Sequence, residues 1–112
     1  MTEPVAFEIR MAALREHFAV RARSQGAELR VLAGRLEVDA RARAEIRRIA
    51  HSIAGAAAVF GMPAVSTEAA ELEEAIADGA AQSAIASFSV SLADRLARLG
   101  SCAPAPAPLP PA

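Results

Sequence analysis

The chain holds two histidines, one cysteine and no lysine, which narrows the nucleophilic chemistry open to it. His51 is the candidate best placed for work. It heads the stretch HSIAGAAAVFG, residues 51–61, where Ala54, Gly55, Ala56, Ala57 and Ala58 follow it. A neutral imidazole, with an ordinary pKa of about 6.5, is a competent nucleophile near neutral pH. It can carry a phosphoryl group on one ring nitrogen. On a helix the neighbours of position 51, three and four residues away, are Arg47, Arg48, Ala54 and Gly55, with Ala58 two turns on. Helical side chains lean toward the N-terminus, so positions 54 and 55 lean back over the imidazole. Ala and Gly there leave it uncovered. Glycine inside a helix costs roughly 1 kcal/mol against alanine, and close approach of another molecule's surface is a reason for it. Ala54, Gly55 and Ala58 are therefore expected to form a docking platform around His51. Arg47 and Arg48 are candidates for contact with a partner, although the same tilt aims them away from His51.

His17, flanked by Arg10, Leu14 and Arg21, reads as a solvated side chain. Neither histidine has a second His or Cys at helical spacing, so no metal site is expected. There is no Gly-rich phosphate loop, and no acidic cluster or general base is expected beside His51. No nucleotide or metal site of its own is therefore expected on this chain.

Helices must position this histidine. Phe7, Met11, Leu14, Phe18, Ala22, Gln25, Leu29, Leu32 and Leu36 alternate four- and three-residue steps, which keeps one apolar stripe on one helix face. Gly26 and Gly34 weaken the far end by roughly 1 kcal/mol each, so the segment is either one long helix or a short extra N-terminal helix followed by a longer one. Asp39 is a good N-cap for a second helix, whose buried stripe is Ile46, Ile49, Ala50, Ile53, Ala57 and Phe60. Gly61 is placed to end it in a left-handed cap, and Pro63 opens the third. The third helix buries Val65, Ala69, Leu72 and Ile76 and exposes Glu68, Glu71, Glu73 and Glu74, a face read as promoting solubility. Asp78-Gly79 closes it. The fourth runs from about Ala81 to Leu99 with Ile85, Phe88, Leu92, Leu96 and Leu99 inward, and Phe60 and Phe88 are expected in the core. Four amphipathic helices with short connections predict an all-α, antiparallel four-helix bundle over residues 1–100. Residues 101–112, SCAPAPAPLPPA, predict an extended, disordered Pro/Ala tail.

Composition agrees. Of 112 residues 30 are Ala, the best helix former, and there is no Trp or Tyr, which disfavours a sheet protein. The net charge of −1 gives no reason to expect nucleic acid or an anionic membrane as partner. Charge is uneven along the chain: residues 1–48 carry 10 Arg against 7 acids, and residues 49–79 carry 5 acids and no base. No apolar run reaches the roughly 18 residues needed to span a bilayer. The first residues, MTEPVAFEIR, have acids where a signal peptide has a basic patch, so a cytoplasmic location is expected.

AHSIAGAAAVFG followed by LEEAI resembles the histidine-containing phosphotransfer (HPt) domain. That family's pattern is a phosphoryl-accepting His, a Gly four residues later, a second Gly six beyond it and a Leu-Glu pair in the next helix. His51, Gly55, Gly61 and Leu72-Glu73 match it, and the likeness covers residues of about 7 to 99. The resemblance implies a four-helix bundle that relays phosphoryl groups to or from the aspartate of a receiver domain, belonging to a response regulator or a hybrid histidine kinase. It implies no cofactor on this chain, with magnesium on the partner receiver, and a monomer. The family often has Lys three residues after the His; this sequence has Ala54. Two rival readings stay open. A histidine-kinase dimerisation helix usually follows its His with an acid, where Ser52 stands here, and a purely structural helical adaptor would use the Pro/Ala tail as its docking element.

Overall fold

The computed structural model describes residues 3–102, with side chains at 5–99. The described residues form four helices and no strand: α1 Glu3–Ala33, α2 Ala42–Val59, α3 Pro63–Ala77 and α4 Gln82–Cys102. They pack as an antiparallel ring in which α1 lies chiefly against α4 and α2 chiefly against α3. This is the expected all-α four-helix bundle. The fourth helix runs through Cys102, so Ser101 and Cys102 lie in its last turn rather than in an extended segment. The rest of the expected tail, 103–112, lies outside the described residues.

The first segment is a single uninterrupted helix, so there is no separate N-terminal helix. At 1.5 Å per residue its 31 residues span about 46 Å, against about 22 Å for α3. Its stripe is buried only from Phe18 onward, through Ala22 and Leu29 and on to Leu36 past the helix end. Phe7 and Leu14 are 61% and 50% exposed. Their spacing is helical, but no helix among the described residues covers them fully. Gly26 has a packing purpose beyond its helix-weakening effect. A Cβ there would lie 3.4 Å from the Ala93 carbonyl oxygen and from the Leu96 Cβ, so a methyl would already fill the space and the α1–α4 contact has no room for a longer side chain. An Arg30–Asp94 ion pair flanks that contact.

Asp39 acts ahead of α2 rather than as its N-cap. Its Oδ1 accepts the Arg41 backbone N–H at 2.9 Å and its carbonyl accepts the Ala42 N–H at 3.1 Å. The N-cap position is Arg41, with no side-chain cap. Asp39 thus organises a lead-in turn, and the helix starts when it ends. The other end follows the sequence closely. Gly61 has φ +71°, and the Met62 N–H reaches back to the Ala57 carbonyl at 2.9 Å. Pro63 then opens α3, where its lost N–H has no partner to miss. Gly79, at φ +77°, ends α3 the same way.

The core joins Ile46, Ile49, Ile53 and Ala57 of α2 to Val65, Ala69, Leu72 and Ile76 of α3, as the periodicity requires. Phe60 is half-buried against Phe18, ring centroids 5.7 Å apart. Phe88 is not core: it is 40% exposed, and Ser89 takes the buried position, its Oγ donating to the Ile85 carbonyl at 2.7 Å. Both positions lie within one turn of Ile85 and Leu92, so the stripe alone does not choose between them. No helix among the described residues is long and apolar enough to cross a membrane.

Candidate functional site

The hairpin of α2 and α3 builds the site. Folding about Gly61 sets positions equally far before and after the turn side by side, so the middle of α2 meets the second half of α3. Two contacts fix the register. The Ser66 hydroxyl donates to the Ala54 carbonyl at 3.0 Å, and the His51 ring meets Glu73 one to two turns farther from the loop.

His51 projects from α2 with 77% of its side chain exposed. Its Nδ1 lies 2.9 Å from Glu73 Oε2. A carboxylate only accepts, so with a neutral ring Nδ1 carries the proton and donates it. The ring's lone pair is then on Nε2. Glu73 itself is 26% exposed, held between the bundle and the imidazole.

This overturns two expectations. A carboxylate does stand beside His51, where none was expected, and the acidic face of α3 is not uniformly solvated. Glu68 accepts the Ser91 hydroxyl at 2.7 Å and pairs with Arg95, and Glu73 holds the imidazole. Glu71 and Glu74 remain exposed. The signal for Glu73 was present in the Leu72-Glu73 pair together with the Gly61 turn, which aligns the two helices.

The expected platform lies around the ring. Ala54 is half-buried on the α3 side, while Gly55 and Ala58 are exposed. A Cβ built on Gly55 would meet nothing within 4 Å, so nothing inside this fold needs that glycine. Val59, 71% exposed, extends the same surface and escaped the sequence reading.

Arg43, Arg47 and Arg48 line an open depression with His51, Glu73 and Ile76. The three differ in what they hold. Arg43 donates to the Ala80 carbonyl at 3.0 Å. Arg48 pairs with Glu45 at 2.8 Å on the flank of α2 away from α3, and that hydrogen bond and charge raise the guanidinium above its ordinary pKa. Arg47 lies between Arg43 and His51 on the flank facing α3, and makes no hydrogen bond or ion pair among the described residues. His17 is exposed on α1. No group of three or more His, Cys, Asp or Glu that could hold a metal occurs among the described residues.

Compared with known families, residues 13–102 match the model of the Hpt domain. No curated protein and no solved structure matches the chain.

Proposed function

The chain belongs to the Hpt domain family, whose members carry phosphoryl groups on histidine in phosphorelays, and from that premise we propose that His51 is the residue that accepts and donates the group. The observation that carries this reading is an exposed imidazole whose Nδ1 is tied to Glu73 at 2.9 Å, leaving Nε2 free as the nucleophile.

The step balances without a base on this chain. The Nε2 lone pair attacks the phosphorus of a receiver's aspartyl phosphate, forming the N–P bond. The P–O bond breaks and its electron pair leaves on the aspartate carboxylate. The ring keeps the Nδ1 proton and gains a positive charge, which the Glu73 carboxylate faces and stabilises. Return transfer runs the same steps backward. Magnesium, in this reading, sits with the receiver's aspartate, and this chain is a carrier rather than a catalyst.

Docking falls to the small residues. A receiver must bring its phosphoaspartate to within bonding distance of Nε2, so the surface around His51 must be low. Ala54, Gly55 and Ala58 make it low, and the Gly55 backbone pays a helix cost that no internal contact explains. Arg47 and Arg48 flank the approach and attract the receiver's acidic pocket. The same reading has the chain act as a monomer in the cytoplasm.

Incubation with phosphorylated receiver domains, followed by mapping of acid-labile phosphate, tests the proposal. His51→Gln is expected to fold and take no label, and His17→Gln to label as the parent does. Label persisting in His51→Gln refutes the assignment. Labelling from ATP alone points instead to a kinase helix, and labelling from neither source to an adaptor.

A further inference from the structure

We propose that Arg47 is the cation that holds the phosphoryl group on His51, an assignment that rests on the phosphotransfer reading above. A phosphoryl group on Nε2 carries close to two negative charges. It would sit across a single imidazole ring from the Glu73 carboxylate, 2.9 Å from Nδ1. The positive charge gained by the ring offsets one of these charges, and the site as a whole stays negative. A site so arranged needs a positive group on the side of the phosphoryl oxygens, and the chain has no lysine to give.

Three arginines border the depression that holds His51 and Glu73. Two are committed elsewhere: Arg43 to the Ala80 carbonyl and Arg48 to Glu45. Arg47 alone of the three has no hydrogen bond or ion pair among the described residues. It stands one turn before His51, so the two side chains are surface neighbours on one helix. The imidazole leans toward the N-terminus and therefore toward position 47. A guanidinium there offers two parallel N–H groups to two phosphoryl oxygens. Ala54, one turn on the other side, offers none. Arg47 and His51 line the same depression, and the arginine side chain is long enough to turn its guanidinium back along the helix to the phosphoryl oxygens.

The test separates holding phosphate from attracting a receiver. At exchange equilibrium between free carrier and one fixed receiver, the ratio of the two phosphoforms does not depend on how tightly the proteins dock. Only the rate of reaching it does. Parent, Arg47→Gln, Arg47→Lys and Arg48→Gln would be brought to equilibrium with the same phosphorylated receiver at low and high salt. Arg47→Gln is expected to lower the phosphocarrier ratio by about three- to ten-fold at low salt, less at high salt, as loss of an exposed charge-assisted pair does. Arg47→Lys should recover part of that loss, and Arg48→Gln should stay within about two-fold of the parent in this ratio while reaching it more slowly, because Arg48 acts on docking rather than on the held phosphate. An unchanged ratio for Arg47→Gln overturns the assignment, and so does an equal loss in Arg48→Gln. A slower approach to an unchanged ratio makes Arg47 a docking residue only. A parent chain that takes no acid-labile label overturns the phosphotransfer reading and this one with it.

Discussion

Replacing Glu73 by alanine removes the one acceptor that the structure gives to His51 Nδ1. The bond is 2.9 Å long and its acceptor is a carboxylate; such bonds contribute about 1.5–3 kcal/mol when shielded. The imidazole is 77% exposed, so water competes and the contribution falls to about 1 kcal/mol. That energy multiplies the Nδ1–H over the Nε2–H tautomer by about five-fold. A ring protonated on Nε2 has no lone pair there to attack phosphorus. Glu73→Ala should therefore move the tautomer ratio about five-fold toward Nε2–H and slow phosphoryl uptake by a similar or slightly larger factor, since the charge that steadies the ring during transfer is lost as well. Nitrogen NMR on chain labelled at histidine reads the tautomer of the neutral ring directly. Initial transfer rates at saturating receiver read the chemistry. Glu73→Gln keeps an acceptor oxygen but no charge, so it should hold the parent's tautomer more nearly and fall between parent and alanine in rate. If Glu73→Ala leaves the tautomer ratio unchanged, the hydrogen bond does not govern the ring. If the ratio shifts but the rate does not, tautomer selection is irrelevant to transfer.

Gly55→Ala should stabilise the bundle by about 0.5–1 kcal/mol, raising Tm by a few degrees, because its Cβ meets only open space in a helix interior; Gly55→Arg should keep the helix yet slow transfer by more than about ten-fold by lifting a receiver off His51. A lower Tm for Gly55→Ala, followed by circular dichroism, would mean the position is not open, and parent-like transfer by Gly55→Arg would remove the platform. Gly26→Leu should cost about 1–3 kcal/mol in chemical unfolding, since a long side chain must enter a gap where even a Cβ lies 3.4 Å from α4. Parent-like stability there would show that α1 and α4 are not so closely packed.

What the sequence made legible follows from what periodicity encodes. It marks which face of a helix is apolar, and where both partners of a hairpin are amphipathic and joined by a defined turn, face determines core. The four buried positions of α3 and the isoleucines of α2 are of this kind. Periodicity does not say whether a neighbour is long enough to cover the face. Phe7 and Leu14 continue the stripe of Phe18 and Leu29, yet the helices that bury the latter do not cover them fully. Nor does it choose between adjoining positions: at Phe88 and Ser89 the larger apolar residue is the exposed one, and the buried Ser89 hydroxyl is satisfied on its own helix.

The site divides along the same line. His51 and its small neighbours were readable because the helix lays them out in one chain segment. In the sequence Glu73 belongs both to a four-acid face that reads as solvated and to the Leu72-Glu73 pair of the family pattern, and neither shows its contact with His51, since that depends on a pairing across two helices. The Gly61 turn supplies that pairing. A left-handed residue there closes α2 and lets Pro63 start α3 with no slack, so a change of loop length would either slide α3 along α2 or turn its apolar stripe out of the core, and either shift moves Glu73 from the ring. The position of the carboxylate against the imidazole is therefore set by the turn as much as by either residue. That explains how a glycine ten residues from His51 can belong to the same pattern without touching it.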